Sequence, residues 1–259
     1  MINIVIACDE NYFNKATELW KSLKELPHKK QILCVGFDKQ LEGFETARCE
    51  LKNLKSYRNG FPSNRDFYVC CEGGEFLDYF DYSDDDVIVH IDADMIVQRD
   101  FNENELRILS ELKFGDVLGN INTNPYTHLR EEYWKLKPKK GLLYTQRMFP
   151  NFWNEPIFCA GVVVCTAKTY KEVIYNHYLS NIELMISLFD HHAAGQWLMN
   201  YICNDRGMVY FMDNDFHNGD WFINMGTSTF KGKLYDEKNR LVMFNHTKFD
   251  ERYYFSNGR

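Results

Sequence analysis

The sequence predicts an α/β fold in which a mixed, mainly parallel sheet is flanked by helices. Short apolar runs alternate with segments of helical periodicity over residues 1–121, as in proteins built from parallel strands and crossover helices. Two of the apolar runs end in carboxylates, at Asp9 and at Asp92, and ligands of such sheets bind beyond the carboxyl ends of the strands. The 259 residues are 45% hydrophobic, which is enough for a substantial core.

The first half of the chain reads as strands and helices in alternation. Apolar residues of 11–26 recur at three- and four-residue spacing, as on one face of a helix, whereas 86–91 is a nearly continuous apolar run, as in a buried strand. The predicted elements are a strand at 1–7, a helix at 11–26, strands at 31–37 and 47–54, a helix at 65–80 and a strand at 86–91.

The second half is less regular. A polar and aromatic stretch at 122–154 contains three prolines and is predicted as a long functional loop. No linker or internal repeat separates the halves, so we expect a single domain over residues 1–259. The predicted elements are a helix at 105–112, strands at 116–121 and 158–166, helices at 168–189 and 193–203, and strands at 208–212 and 241–244.

The composition limits the binding partners and the cellular compartment that we expect for the protein. A net charge of −7 gives no global attraction to nucleic acid or anionic lipid, although a local basic cleft stays open. No apolar run approaches the roughly 20 residues of a membrane span, and the amino terminus lacks a signal-peptide pattern. The eight cysteines include no C-x-x-C pair, as expected of reduced core thiols. We therefore expect a cytoplasmic protein without a transmembrane segment, with peripheral membrane contact left open.

The most informative motif is Asp92-Ala93-Asp94, which directly follows the apolar run at 87–91. Two carboxylates offer oxygen ligands, which suit Mn²⁺ or Mg²⁺, and such ions usually complete their coordination with water and substrate phosphates. A solvated acidic turn is equally consistent with the two residues alone. If the pair binds a metal, the sequence predicts a phosphorylated ligand.

The order of the motifs resembles the GT-A fold glycosyltransferases, especially the glycogenin-like and bacterial lipopolysaccharide sugar transferases. The resemblance covers most of the chain. It implies a Rossmann-like GT-A domain with a nucleotide-sugar-binding half at 1–121 and an acceptor-binding half at 122–259. The matching segments are the opening strand and helix, V-I-V-H-I-D-A-D-M at 87–95, F-C-A-G-V-V-V at 158–164 and M-F-N-H-T at 243–247.

The resemblance also implies roles for individual residues. Asp92, Asp94 and His246 would bind Mn²⁺ or Mg²⁺ that bridges the diphosphate of a nucleotide sugar, although a lone histidine is also consistent with a structural role. Physical chemistry adds Lys248, a positive charge for the leaving diphosphate, and Trp221, an aromatic face for a sugar. The substrate-binding candidates together are Ala7, Cys8, Asp9, Tyr12, Arg65, Asp92, Ala93, Gly161, Trp221 and Lys248.

The catalytic candidates fall into two groups. Gln196 matches the family's Asp-Gln pair, but Gly195 stands where the acid belongs. That leaves Asp190, Gln196 or one of His191 and His192 as the candidate near the donor sugar. Asp213 and Asp215 lie in an acidic loop that could supply a general base, and a plain surface loop is equally consistent with them. Whether transfer retains or inverts the anomeric configuration stays open.

We expect a metal-dependent glycosyltransferase of the hexosyltransferase type. Its donor would be a nucleoside-diphosphate sugar, with UDP favoured over GDP, and its acceptor a glycan, a sugar or a lipid-linked sugar. One alternative is a phosphatase of the haloacid dehalogenase type, whose nucleophile also lies in a D-x-D motif after a strand. Another is a non-catalytic nucleotide-sugar-binding subunit, suggested by Gly195.

Overall fold

A computed structural model of the chain describes residues 1–8, 12–28, 31–36, 82–120, 128–130, 133, 136, 138–150, 154–189, 194–213, 215–218, 228–230, 233–236 and 238–246. The predicted strand at 47–54 and the predicted helix at 65–80 lie outside these residues. The described strands are β1 (Ile2–Cys8), β2 (Gln31–Gly36), β3 (Val87–Asp92), β4 (Met95–Val97), β5 (Val117–Gly119), β6 (Val162–Thr166), β7 (Val209–Phe211), β8 (His217–Asn218), β9 (Ser228–Phe230), β10 (Lys233–Tyr235) and β11 (Phe244–His246).

The described helices surround these strands. They are α1 (Phe13–Glu25), α2 (Glu103–Glu111), α3 (Leu142–Met148), α4 (Ala167–Thr169), α5 (Asn176–Leu188) and α6 (Ala194–Asp205), and a π-helical turn (Tyr170–Tyr175) joins α4 to α5. Helix α2 shows why such segments begin where they do. The Asn102 side chain accepts a hydrogen bond from the Glu105 N–H, and the Glu105 carboxylate accepts one from the Asn102 N–H, so each satisfies a donor of the first turn.

Six strands form one sheet in the order β2-β1-β3-β6-β5-β7. Strand β6 runs antiparallel to both of its neighbours, and the other neighbouring pairs are parallel. Because β1, β3 and β5 run in one direction, their carboxyl ends lie at one edge of the sheet, and Ala7 pairs with Asp92 there. The predicted α/β class with a mixed, mainly parallel sheet is confirmed.

Helices cover both faces of this sheet, as predicted. Alternate residues of β3 point to opposite faces, so Val89 and Ile91 pack with the buried residues of α1 and α2, whereas Ile88 packs with those of α4 to α6. Residues 87–91 and 162–166 are buried throughout. This double coverage explains why the central strands have no polar and apolar alternation in the sequence.

A second, three-stranded sheet has the order β4-β11-β8. Strand β4 pairs antiparallel with β11, with Met95 opposite His246, and β11 runs parallel to β8. Strand β4 begins directly after the Ala93-Asp94 turn that ends β3. The acidic motif therefore lies where the chain passes from the large sheet to the small one.

The sequence prediction misses one helix and gives two strand boundaries wrongly. Helix α3 forms inside the stretch predicted as a loop at 122–154. Strand β6 begins at Val162 rather than at 158. The Phe158 and Ala160 N–H groups donate to the side chains of Asn200 and Gln196, although the Cys159 N–H still donates to the Asn120 carbonyl. Strand β11 covers Phe244–His246 rather than 241–244, so His246 belongs to the strand instead of following it. Within the described residues, every helix is too short or too polar to cross a membrane.

Candidate active site

The acidic turn Asp92-Ala93-Asp94 lies at the carboxyl edge of the large sheet. Asp92 is partly exposed, and its backbone N–H donates a hydrogen bond to the Gly161 carbonyl at 2.9 Å. Ala93 is 5% exposed and packs into the apolar core, and Asp94 is 3% exposed. The backbone hydrogen bond and the packing of Ala93 fix the positions from which both carboxylates leave the chain.

The end of β1 lies beside this turn. Ala7 pairs with Asp92, and strands of one sheet lie about 4.8 Å apart, so the two backbones are immediate neighbours. Cys8 is 1% exposed, which leaves its backbone rather than its thiol available at the edge. Tyr12 precedes α1 and is partly buried against the same core, with the Lys15 ammonium 5.4 Å from its ring centroid. The end of β1, which carries the predicted nucleotide contacts Ala7 and Cys8, therefore lies beside Asp92.

His246 comes to the same place from the far end of the chain. It is the backbone partner of Met95, and paired Cα atoms of antiparallel strands lie about 4.5 to 5.5 Å apart. Met95 directly follows Asp94 in the sequence, so the His246 backbone lies opposite the neighbour of the second acid. The His246 side chain lies outside the described residues. The described side chains alone contain no cluster of three metal-ligating groups.

The donor set of this corner fits a divalent metal ion. Two carboxylates supply the oxygen ligands that Mn²⁺ and Mg²⁺ prefer, and a neutral imidazole on the neighbouring strand is a suitable nitrogen ligand for Mn²⁺. The acids leave a single tight turn, and the histidine is in register with the residue that follows them. The backbones of the three predicted ligands are therefore close to one another.

The segment 158–161 forms the neighbouring wall of the site. Gly161 accepts the hydrogen bond from Asp92, and the Ala160 N–H donates to Gln196 Oε1 at 3.0 Å. Asn200 clamps Phe158 from both sides: its Oδ1 accepts from the Phe158 N–H at 2.8 Å, and its Nδ2 donates to the Phe158 carbonyl at 2.9 Å. Gln196 is therefore near the acidic turn, where its oxygen positions the backbone that supports Asp92.

Asn120 is a residue of this edge that sequence reasoning missed. It follows β5, is 2% exposed, and donates from Nδ2 to the carbonyls of Met212 and Asp213 at 3.3 Å and 3.0 Å. Its Oδ1 has no hydrogen-bond partner within the described residues. A single asparagine after a short strand gives no sequence signal, so only the strand order could have identified it.

Asp213 and Asp215 are bound by arginines instead of facing the acidic turn. Arg240 Nη1 lies 2.8 Å from Asp213 Oδ2, and this hydrogen bond is the main reason why the pKa of Asp213 is lowered. Arg240 and Arg99 both pair with Asp215, at 3.3 Å and 3.4 Å. Burial nevertheless raises the pKa of Asp215 above its ordinary value, although both arginines act to lower it.

Asp215, which lies just before β8, is also separated from the Asp92-Ala93-Asp94 turn. Its carbonyl accepts from the Met243 N–H, and Met243 precedes His246 by three residues of extended chain, or about 10 Å. The Arg99 guanidinium also binds the Asp215 carbonyl. Arg99 follows β4, whereas Asp94 precedes it, so the two residues lie at opposite ends of this strand. The geometry thus favours a structural role for the Asp213 and Asp215 carboxylates over the predicted general-base role.

His90, within β3, is a second residue that sequence reasoning missed. Its ring is fully buried, and burial lowers its pKa to about 4, so the imidazole is neutral at neutral pH. Nδ1 lies 2.7 Å from the hydroxyl of Tyr170, the first residue of the π-helical turn. The sequence hides this histidine inside an apolar run, two residues before Asp92.

The last residues to be located are Gly195, which replaces the family's acid, and five predicted site residues. Gly195 is buried in the first turn of α6, beside Gln196. The residues that lie outside the described part of the chain are Asp9, Arg65, Asp190, Trp221 and Lys248.

Comparisons with known proteins identify the fold. No protein-family model matches the chain. No curated protein matches it. Among solved structures, it is similar to the galactosyltransferase LgtC in complex with donor and acceptor sugar analogues, with a TM-score of 0.59 and 15% identity over 94% of this chain and 86% of LgtC.

Two further solved structures are also similar to the chain in fold. The bifunctional glycosyltransferase WbbM gives a TM-score of 0.54 at 16% identity over 83% of this chain and 39% of WbbM. Mouse xyloside xylosyltransferase 1 gives 0.51 at 11% identity over 84% and 87%. The chain therefore has the GT-A-type fold of these glycosyltransferases, as the sequence resemblance predicts.

Proposed function

We propose that the chain is a metal-dependent glycosyltransferase that uses a nucleoside-diphosphate sugar, with UDP favoured, to glycosylate a glycan, a sugar or a lipid-linked acceptor. The observation that carries the proposal is the pairing of Met95 with His246, which sets the predicted metal-binding histidine beside Asp94. Ala7, at the predicted nucleotide edge, pairs with Asp92 on the other side of the same turn. The fold, shared with LgtC bound to donor and acceptor analogues, supports this assignment.

Each part of the site then has a chemical task. Asp92, Asp94 and His246 would bind Mn²⁺ or Mg²⁺, which when bound neutralises the charge of the leaving diphosphate. The ends of β1 and β3 would hold the nucleotide, since the crevice beyond the carboxyl ends of parallel strands is the usual ligand site. The backbone at Ala160 and Gly161 would face the donor sugar, where a glycine lets a ligand approach closely. Gln196 positions that backbone through its bond to Ala160.

Calorimetric titration tests the proposal. UDP and GDP are titrated into the chain with and without Mn²⁺, and we expect binding that requires the metal, with UDP the tighter ligand. Asp92→Asn and Asp94→Asn should each weaken it by more than about 100-fold, because even the outer-shell partners of metal ligands are worth about 10- to 100-fold. Absence of metal-dependent binding for both nucleotides would refute the proposal.

Two exposed acids provide matched controls. Asp84 and Asp85 precede β3, at the opposite end of the strand from Asp92, and both are exposed. Asp84→Asn and Asp85→Asn change charge and size in the same way, and we expect them to bind UDP like the original chain. Equal losses in all four variants would mean that the effect is one of net charge rather than of metal ligation.

A turnover assay separates the alternatives. We expect slow hydrolysis or transfer from at least one UDP-sugar of a donor panel in the presence of Mn²⁺. A phosphoaspartate trapped at Asp92 would support a phosphatase instead. Metal-dependent UDP binding without turnover of any donor would support a non-catalytic nucleotide-sugar-binding subunit.

A further inference from the structure

An unusual basic and aromatic segment lies in the second half of the chain. The 22 residues between Glu132 and Glu155 contain no acid, although the whole chain carries a net charge of −7. Tryptophan and tyrosine prefer the interface between water and membrane lipid, and this segment contains Trp134, Tyr144 and Trp153. Its basic residues are Lys135, Lys137, Lys139, Lys140 and Arg147.

Helix α3 displays apolar side chains to solvent. Leu143 is 73% exposed, Tyr144 is 49% exposed and Met148 is 43% exposed. Lys139, Lys140 and Arg147 are exposed around them. We refer to these six residues as the α3 surface. Its composition is the reverse of an ordinary surface helix, whose exposed face is polar.

The helix is firmly attached by its other face. Thr145 and Phe149 are buried, and the Phe149 ring meets Trp197 and Tyr201 of α6 edge to face, at 5.1 Å and 4.6 Å between centroids. The Lys139 N–H donates to the Leu188 carbonyl at 2.7 Å. Because the core already takes the buried face, the exposed apolar residues are a stable part of the surface.

Exposed apolar side chains accompanied by exposed lysines and an arginine fit the headgroup region of an anionic bilayer. Apolar residues insert among the acyl chains while lysine and arginine remain with the acidic headgroups. A symmetric second copy of the chain fits less well, since a twofold contact through this face would bring like charges together. The overall negative charge would repel the rest of the molecule from such a bilayer, so this face would be the one presented.

We infer that the α3 surface docks the protein onto membranes that contain anionic lipid. This goes beyond the proposed function, because the docking depends on the surface alone and holds whatever reaction the site performs. If the chain is a glycosyltransferase, docking favours acceptors held at the membrane, since Trp197 under α3 adjoins Gln196 in the site.

Vesicle co-sedimentation of the 259-residue chain tests the inference. Vesicles of phosphatidylcholine alone are compared with vesicles of equal parts phosphatidylcholine and phosphatidylglycerol, and we expect binding to the second kind only, weakening as salt screens the charges. Lys139→Gln with Lys140→Gln should lower partitioning about 30-fold, since each basic residue at an anionic surface changes it about fivefold. Leu143→Gln with Met148→Gln should lower it at least tenfold.

Matched controls come from other faces of the molecule. Phe114 is 54% exposed, and Lys21 and Lys113 are exposed, so Phe114→Gln and the pair Lys21→Gln with Lys113→Gln remove similar groups elsewhere. We expect both controls to bind like the original chain. The altered side chains are exposed, so thermal unfolding midpoints should match, and the lysine variants keep the test valid if the apolar variant folds poorly.

Three results would overturn the inference. The first is equal binding, or no binding, to the two kinds of vesicle. The second is equal binding by the α3-surface variants and their controls. The third is a dimer, seen by sedimentation equilibrium without lipid, that the Leu143→Gln and Met148→Gln changes dissociate, because that result would assign the face to a second copy of the chain.

Discussion

His90 shows how the surroundings of one residue determine the charge of a neighbouring site. Burial among apolar residues lowers the pKa of its imidazole to about 4, so it carries no positive charge at neutral pH. Asp92 follows two residues later in the same strand. The neutral imidazole therefore adds no positive charge two residues before the first acid of the Asp92-Ala93-Asp94 turn.

The hydrogen bond between Tyr170 and His90 provides a prediction at this scale. Tyr170→Phe removes the hydroxyl 2.7 Å from His90 Nδ1 and leaves a buried polar atom unsatisfied. We expect the free energy of unfolding to fall by about 1–3 kcal/mol. Urea denaturation followed by tryptophan fluorescence measures it.

The control for this prediction is Tyr210→Phe, which removes the same hydroxyl from a side chain that is 53% exposed. It should change the free energy of unfolding by less than about 0.5 kcal/mol. Equal effects of the two substitutions would show that the buried hydrogen bond adds nothing to stability.

Single residues differ in how well sequence predicts them. The place of Asp92 and Asp94 at the end of a strand was predictable because a carboxylate pair after an apolar run is a local pattern, and metal binding by the pair stays a prediction. Asn120 and Asn200 were not, since their roles depend on backbone groups that lie far away in sequence. The general-base role of Asp213 and Asp215 stays a prediction, and the pairing of both carboxylates with Arg240 could not be seen in the sequence.

Among the elements, the segment 158–161 is the one whose shape depends most on side chains. It continues β6 toward its amino-terminal side but leaves the strand, and Gln196 and Asn200 of α6 satisfy its backbone. Gly119 of β5 lies against it so closely that an added Cβ would be 2.9 Å from the Phe158 side chain. The wall of the site therefore depends on a glycine in the neighbouring strand.

Gly119→Ala tests this dependence. The new methyl group would force Phe158 to shift, and overpacking of this kind costs about 1–3 kcal/mol of folding free energy. We also expect weaker binding of UDP with Mn²⁺, because Phe158 begins the segment that accepts the hydrogen bond from Asp92. Urea denaturation and calorimetry measure the two effects.

Gly141→Ala is the matched control, since an added Cβ there meets nothing within 4 Å. Alanine in place of this glycine at the start of α3 should cost no more than about 0.5 kcal/mol and leave nucleotide binding unchanged. Similar losses in both variants would mean that glycine at position 119 is not required for close packing.

The long elements were predictable from sequence and the short ones were not. Strands β1 and β3 and helices α1 and α6 follow clear apolar patterns. Strands β4 and β11 have three residues each, too few for a periodic signal, and depend on pairing with each other. Helix α3 was missed because its solvent face is apolar, so its sequence has no amphipathic alternation.

For the whole molecule, ion pairs and hydrogen bonds of Arg99 join the three-stranded sheet to helix α2 and to the segments that lead into its strands. Arg99 forms a two-pronged contact with Glu105, at 2.8 Å and 2.6 Å, and also binds the Asp215 and Leu241 carbonyls. Glu105 is 3% exposed and belongs to α2. One guanidinium thus links the end of β4, helix α2 and the segments that precede β8 and β11.

Glu105→Ala should therefore destabilise the entire fold. It leaves Arg99 with less compensation for its charge in a partly buried place, and removing one partner of a buried ion pair costs about 3–5 kcal/mol. It also removes one half of the hydrogen-bonded cap of α2. Urea denaturation followed by circular dichroism should show one cooperative transition at a lower midpoint.

Glu111→Ala in the same helix is the control. Its partner Arg107 is 60% exposed and Glu111 is 62% exposed, and exposed pairs are worth less than about 1 kcal/mol. If Glu105→Ala costs no more than this control, the ion pair between Arg99 and Glu105 does not stabilise the fold.

The pairing of Met95 with His246 also bears on how the protein folds. The two residues are separated by more than half of the chain, and contacts of such long sequence separation form slowly because a large loop must close first. During synthesis, β1 and β3 leave the ribosome well before β11 does. Both acids are thus synthesised long before the strand that carries His246, so the proposed metal site is complete only when the fold is nearly complete.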